Sequence, residues 1–482
     1  MARPAKRDKK KLSLSAFTII LILIFILAIV TYFLPQAQFV GEDLVDGSGV
    51  VRATLSQTLM APILGFADAI DICVFVLILG AFLKIVNSTN SIETGIQVLI
   101  KKLHGHELVL IPILMLLFSI GGTTYGMLEE TVGFYALLAA AMVAAGMDTV
   151  VSSSIVLLGA GSGVLGSTVN PFAVGVAIDA LPGDIAVNQG IIIGLGTVLW
   201  LSTLLISILF VMSYAKKVIK DKGSTFLSLQ EQKDMKETYG ADNHKKTEVK
   251  LSGSQKITLI LFALTFAVMI IGFIPWGSFG VSVFEKTGLL TGTPLGDWYF
   301  NEATLWFLVM AIIIGVINGM SEHELVDTFI DGADDMVGVI LVIAIARGAS
   351  VLMTQTHLDN FIIFNAAKGL KNVPTIVFAP LNYILHVGLS VLVPSSSGLA
   401  TLSTPIMGPL AQSVGYSVEV TIMEMVAANG LVNLFTPTCG AIMGGLALAK
   451  VDYTTWLKWV AKVIVVIAIV NIIILSVAMM VF

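Results

Sequence analysis

Two places in this chain set polar or ionisable side chains inside long apolar stretches. At GGTTYGMLEETVG (121–133), Glu129 and Glu130 stand side by side between apolar flanks. At VLVPSSSGLATLSTP (391–405), Ser395, Ser396 and Ser397 follow a proline. A carboxylate at membrane depth is costly and by default marks a functional site. Serines at a helix start add hydroxyl donors to the backbone N–H groups that such a terminus turns toward an anion. One locus therefore suits a cation and the other an anion. Together they fit a ligand with a cationic group at one end and a carboxylate at the other, such as an amino acid and especially a basic one. Buried acids outnumber buried bases, so a cationic ligand lowers the cost of burying them; a proton on one glutamate is the alternative. The blander reading of Glu129 and Glu130 is a pair near a helix end that reaches water. Glu424, in VTIMEMVAANG, and Arg347, the one basic residue deep in an apolar run, are read as coupling or charge-balancing groups. His386 is read as structural, and Cys73 and Cys439 as buried thiols.

The elements that must position these groups are membrane helices. Of 482 residues 56% are hydrophobic and only 12% charged, and mean hydropathy is +0.93, too few charges to cover a soluble domain of this size. Residues 14–34 carry no charge, enough to cross a hydrocarbon core of roughly 30 Å. Further apolar runs recur near 72–83, 108–120, 186–214, 257–275, 303–318, 336–346 and 460–482. The basic stretch Arg3, Lys6, Arg7, Lys9, Lys10 and Lys11 precedes the first run and is read as a cytoplasmic tail on a retained helix. A net charge of −5 gives no reason to expect a nucleic-acid partner.

Lysine placement divides the chain. Residues 215–256 are lysine-rich, polar and unpatterned, and read as a flexible cytoplasmic linker; 36–57 and 276–302 read as outside loops. This gives a basic tail, first helix and outside loop (1–57), a transport repeat (58–214), the linker (215–256), two connecting helices (257–319) and a second transport repeat (320–482). Followed through the membrane, the two repeats run in opposite senses. DAIDICVFVLILGAFLKIV (68–86) resembles GADDMVGVILVIAIARGASVLM (332–353) with Gly80 over Gly348, an offset of 268. STVNPFAVG (167–175) lies opposite TPTCGAIMG (436–444) at an offset of 269. Each repeat holds two interruptions, at 121–133 and 159–172 in one and at 391–405 and 427–445 in the other. Irregular backbone at membrane depth is tolerated only inside protein or around a wet cavity, so each repeat is expected to contain a re-entrant hairpin and a broken helix, with the site between repeats. The expected fold class is an all-α polytopic membrane protein of two inverted-topology repeats.

GGTTYGMLEETVGFY (121–135), GAGSGVLGSTVNPFAVGVA (159–177), VPSSSGLATLSTPIMGPLA (393–411) and LVNLFTPTCGAIMGGLALA (431–449) resemble the YfcC family, grouped with the anaerobic C4-dicarboxylate carriers in the ion transporter superfamily. The resemblance spans nearly the whole chain. It implies inverted repeats with hairpins and broken helices, a homodimer, and, as in several members that look like them, arginine–ornithine exchange. Its binding positions fall on Glu129, Glu130, Ser167, Thr168 and Asn170 and on Ser395, Ser396, Ser397, Thr436 and Thr438. The dicarboxylate relatives carry Ser-Asn-Thr at both hairpin tips. This chain has Glu-Glu-Thr at one and Ser-Ser-Ser at the other, which counts against dicarboxylate transport and its sodium sites.

The reading at this point is a secondary transporter of basic amino acids, an arginine–ornithine exchanger working by alternating access in the cell (inner) membrane with a cytoplasmic N-terminus. The alternative is a proton- or sodium-coupled carrier of dicarboxylates, peptides or acyl-amino acids. No nucleophile–base set, zinc spacing or phosphate loop suggests an enzyme, and no metal or other cofactor is expected. The expected partners are a small-molecule substrate, the lipid bilayer and a second copy of the chain.

Overall fold

The computed structural model describes all residues except 1–15, 41–42, 46, 93, 96–97, 99–106, 182–184, 241–250, 274–275 and 372. The basic N-terminal tail therefore lies outside the described residues. Apart from a two-strand hairpin, Phe39–Val40 with Asp43–Leu44, the described elements are helices. Seven of these are long and apolar enough to cross a membrane, from Ile70–Ser88 to Tyr453–Val481. Many apolar side chains on their outer faces are exposed, among them Leu205, Leu209, Val465 and Ile469, as expected of surfaces solvated by lipid. The chain is a multi-pass α-helical membrane protein.

The order of elements from Leu55 to Lys220 recurs from Glu322 to Val481. Leu55–Asp68 and Ile70–Ser88 have counterparts in Glu322–Asp334 and Val337–Gln355. A helix–turn–helix follows in each half: Leu110–Tyr125 with Phe134–Ala144, and Thr375–Leu392 with Ser396–Ser413. Next come two helices broken in the middle. Thr149–Leu165 resumes at Pro171–Gly175 and Val176–Asp179, and Val418–Val432 resumes at Gly440–Leu448. Each half closes on a long helix, Gln189–Lys220 or Tyr453–Val481.

The first helix pairs of the two halves exchange contacts reciprocally. Leu55–Asp68 packs on Val337–Gln355, and Ile70–Ser88 packs on Glu322–Asp334. Both crossings are made by glycines. A Cβ on Gly65 would lie 2.2 Å from Gly348 N, and one on Gly80 would lie 2.6 Å from Gly332 O. Small residues let helix backbones approach where lipid gives no hydrophobic drive for association. Each crossing also carries an ion pair. Arg347 Nε lies 3.1 Å from Asp68 Oδ2, and Lys84 Nζ donates to Asp335 Oδ2 at 2.8 Å. Asp68 and Asp335 thus stand at matching places in these two ion pairs.

These helices, with Ala16–Val30, Gly253–Phe273 and Phe300–Ile317, form one packed group; the hairpins, broken helices and long closing helices form another. At the centre of the second group every residue of Thr149–Leu165 is buried. Its glycines admit its neighbours: a Cβ on Gly163 would meet Ser119 O at 2.1 Å. The groups touch where Gly440–Leu448 meets Val337–Gln355 and where the turn Glu129–Gly133 meets Ile70–Ser88.

Two expectations need correction. Residues 215–256 are not an unpatterned, flexible stretch throughout. Gln189–Lys220 continues into them, and Leu229–Tyr239 is a helix opened by a capping box between Ser228 and Glu231. Glu231 is buried because it also accepts from Asp452 N at 2.9 Å and Thr455 Oγ1 at 3.1 Å, and Tyr239 donates to Leu448 O. The linker helix is thereby fastened to the turn between Gly440–Leu448 and Tyr453–Val481. The four interruptions are also narrower than the polar motifs. GGTTY stays helical to Tyr125, and Thr149–Leu165 runs through GAGSGVL. A glycine in a buried membrane helix keeps its backbone hydrogen bond, so helix persists where composition suggests a break.

Candidate functional site

The four interruptions meet around one cavity with about 110 Å³ of space that water can occupy. Each contributes through local chemistry that can be followed residue by residue.

The first hairpin turns at Gly126, whose φ of 80° is left-handed. Gly126 N donates to Gly122 O and Met127 N to Gly121 O, closing the helix end. A Cβ here would also lie 2.8 Å from Asn170 Nδ2, so glycine is required twice over. The turn Glu129–Gly133 follows, and Glu129 reaches the cavity wall. The side chain of Glu130 lies outside what the structure describes.

The first broken helix stops at Gly166, whose Cβ would lie 2.2 Å from Trp200 N. Asn170 restarts the chain: its Oδ1 accepts from Phe172 N at 2.9 Å and Ala173 N at 3.3 Å, and its Nδ2 donates to Ser167 Oγ at 2.9 Å. Asn170 and Phe172 line the cavity. Ser167 and Thr168 do not. Ser167 Oγ donates to Val164 O, and Thr168 bonds Thr123 through both its N–H and its hydroxyl. These two hydroxyls hold the break together from behind.

The second hairpin turns through Val393 and Pro394. Ser395 caps Ser396–Ser413 by accepting from Gly398 N at 3.2 Å. Ser396 Oγ donates to Asn429 Oδ1 at 2.8 Å, and Ser395 and Ser397 hydroxyls lie 3.3 Å apart. All three serines face the cavity. An α-helix leaves its first N–H groups without intrahelical partners, so this terminus can receive an anion. Two asparagines hold the tip from the second broken helix: Asn429 Nδ2 and Asn433 Nδ2 both donate to Pro394 O, at 3.2 and 3.0 Å. Asn433 lines the cavity, and its Oδ1 is buried without a partner.

The second break runs from Asn433 to Cys439. Thr436 and Thr438 hydroxyls lie 2.7 Å apart, and Thr438 Oγ1 donates to Val391 O at 3.0 Å. Thr438 and Cys439 reach the cavity; Thr436 is buried behind them. The wall is completed from the other packed group by Ile72, Ile343 and Arg347, by Tyr299 at the end of the loop 276–299 and by Phe300 after it. Arg347 is thus both Asp68's partner and a cation on the cavity wall. Glu424 lies apart, wholly buried.

Of the residues singled out from sequence, Glu129, Asn170, Ser395, Ser396, Ser397, Thr438 and Arg347 converge on the cavity. Asn429, Asn433, Phe172 and Tyr299 were not anticipated. Two asparagines four residues apart in an apolar run, AANGLVN, are the signal that marks the first pair, since such spacing sets both on one helix face.

A cavity bounded by two hairpin tips and two broken helices, at the boundary of two packed helix groups, is the layout of a secondary transporter. Sequence comparison specifies the class. The family model for the C4-dicarboxylate anaerobic carrier matches residues 14–480, and the chain belongs to that family of membrane transporters. It is 31% identical over 401 residues to an uncharacterised protein of Haemophilus influenzae (strain ATCC 51907 / DSM 11121 / KW20 / Rd), covering 83% of this chain and 74% of that one. It is 29% identical over 408 residues to a protein of Escherichia coli (strain K12) named "Putative basic amino acid antiporter YfcC", covering 82% and 74%. Among solved structures, the YdaH transporter of Alcanivorax borkumensis superposes with a TM-score of 0.48 at 14% identity, over 96% of this chain and 98% of that one. MtrF of Neisseria gonorrhoeae superposes with a TM-score of 0.45 at 16% identity, over 97% and 95%.

Proposed function

We propose that this transporter exchanges basic amino acids, arginine against ornithine, across the cell (inner) membrane by alternating access at this cavity. The observation that carries the reading is the pairing of unlike tips in one cavity: Glu129 on one side, Ser395–Ser397 at a helix start on the other. A guanidinium or ammonium meets Glu129, and the α-carboxylate meets the serine hydroxyls and first-turn N–H groups. The unpartnered Asn433 Oδ1 offers a further acceptor to the ligand's α-ammonium. The E. coli relative's name points the same way. The hairpins and broken helices move as a body against the other helix group, within a homodimer whose N-termini and 215–256 linkers are cytoplasmic. The two repeats lie in the membrane with opposite orientation. In proteoliposomes preloaded with ornithine, labelled arginine enters; no exchange by folded protein would reject the reading.

A second reading has one observation in its favour. Arg347 puts a cation on the cavity wall, where a second carboxylate could bind, and the family's description names C4-dicarboxylates. Inhibition of uptake by succinate and not by arginine would select it.

A further inference from the structure

One buried acid takes no part in the cavity. Glu424 sits in the middle of Val418–Val432 with none of its surface exposed. Its Oε2 accepts from Asn382 Nδ2, on the hairpin arm Thr375–Leu392. Its Oε1 has no partner, and neither does Asn382 Oδ1. Two acceptor oxygens on one bonded pair of side chains thus lack a donor. A carboxylate held by a single amide N–H is costly to bury, and unmet acceptors add to the cost. A proton shared between these two oxygens would satisfy both. A carboxylic acid and a primary amide bond each other twice, amide N–H to carboxyl oxygen and acid O–H to amide oxygen.

We propose that Glu424 is a proton-binding site, separate from the substrate cavity, where an H⁺ that crosses in addition to the exchanged amino acids is held in an acid–amide pair with Asn382; its coupling role rests on the exchange reading above.

The surroundings leave the proton as the available counter-charge. Glu424 enters none of the ion pairs among the described residues. On the hairpin arm, one turn beyond Asn382, His386 is wholly buried. Its Nδ1 lies 2.8 Å from Asn382 O and its Nε2 2.7 Å from Ser403 Oγ, so both ring nitrogens have partners and neither is turned to Glu424. Tyr383 accepts from Asn471 Nδ2 at 3.2 Å. Ser396–Ser413, Thr149–Leu165 and Pro171–Gly175 carry no titratable side chain. Gln189–Lys220 carries Tyr214, Lys216, Lys217 and Lys220 toward its C-terminal end, and Tyr453–Val481 carries Tyr453, Lys458 and Lys462 near its start.

Position gives the site its consequence. Glu424 joins the hairpin arm to the helix whose Asn429 and Asn433 hold the second tip. With the proton on, the pair clasps arm and helix. With the proton lost to water, a charge stands between them and favours an arrangement in which they part. The proton is taken from water on one side of the membrane and released to water on the other, so no other reactant is needed.

Infrared spectra of the purified full-length protein test the site directly. A protonated-carboxyl stretch at neutral pH, shifted in D₂O, is expected to vanish in Glu424→Gln and persist in Glu129→Gln. A spectrum unchanged by Glu424→Gln would overturn the proposal. Glutamine supplies the same N–H and C=O to Asn382, so the fold is expected to hold. If that variant cannot be purified, Asn382→Ala serves: the band must shift when its partner is removed, and an unmoved band rejects the site. For coupling, proteoliposomes carry a pH dye and labelled arginine is the probe. The wild type is expected to move protons with arginine, and Glu424→Gln to move arginine with at least tenfold fewer. Undiminished proton movement in the variant rejects the coupling role. Absence of arginine uptake with the infrared band in place counts against the substrate reading alone.

Discussion

The two hairpin tips occupy matching places in the chain and differ in almost every chemical respect. The first turns through a left-handed glycine into a short 3₁₀ stretch and brings Glu129 to the cavity. The second turns through proline into a capped helix start and brings three serines. The first is tied to its own half's broken helix by Thr168 on Thr123, with Asn170 close beside the turn glycine, and the second is held by Asn429 and Asn433 of its own. Each tip is therefore held from the adjacent break, by different side chains, and the presented group differs too. Two similar helix–turn–helix elements can thus make one site with two unlike ends.

Breaking the acidic end should have the largest effect. Glu129→Gln keeps the shape and removes the charge; losing one partner of a buried charge pair costs about 2–5 kcal/mol. Arginine affinity should fall by at least roughly 30-fold, measured by equilibrium binding to purified protein. The first turn itself comes next. Gly126→Ala forces a side chain into left-handed backbone, about 1–2 kcal/mol, and against Asn170. Both the apparent Tm and the exchange rate should drop, whereas Gly398→Ala, where an added Cβ meets nothing closer than 3.3 Å, should change Tm little. The serine end should respond more mildly. Ser396→Ala removes one hydrogen bond, to Asn429, worth about 1 kcal/mol, so carboxylate-bearing ligands should bind on the order of fivefold more weakly. An effect of Ser396→Ala as large as that of Glu129→Gln would contradict the unequal roles of the two tips.

The smallest effect concerns the helix start behind the first break. Asp148 caps Thr149–Leu165 and accepts from Tyr214 and Thr225 hydroxyls, each at 2.6 Å. Burial pushes its carboxyl above the usual aspartate range, against the lowering effect of those hydrogen bonds. A group raised in the folded state contributes its stability fully below the unfolded value, near 3.9, and loses it as pH rises through the folded value. Thermal unfolding in detergent from about pH 4 upward should therefore show Asp148→Asn, which keeps the cap, losing less Tm than the wild type, by about 2 °C.

The breaks were legible because proline, glycine and hydroxyl clusters stand out against apolar runs, and Glu129 was legible because a membrane carboxylate is conspicuous. Gly80 and Gly348, the pair on which the expected repeat was aligned, are crossing points of the first helix pairs. What side chains do inside a break was harder to read. Ser167, Thr168 and Thr436 carry the same hydroxyls as Ser395–Ser397, yet hydroxyls beside irregular backbone satisfy that backbone first. Asn429 and Asn433 look like ordinary polar residues in a helix until the second tip is laid against them. Tyr299 and Phe172 reach the cavity only through tertiary packing, where their ring centroids lie 5.0 Å apart at a tilt of 56°, and no local pattern announces that. The linker helix Leu229–Tyr239 was passed over because lysine content outweighed its Ser228–Glu231 capping signal.

The central claim is that unlike tips grip the two unlike ends of one ligand. The most direct test is competition against labelled arginine on purified protein by unlabelled arginine, by agmatine, which lacks the carboxylate, and by succinate, which lacks the cation. The account predicts that arginine displaces the label, agmatine does so at least roughly tenfold more weakly, about 1.4 kcal/mol, and succinate does not. Displacement by agmatine as strong as by arginine, or displacement by succinate, would contradict it.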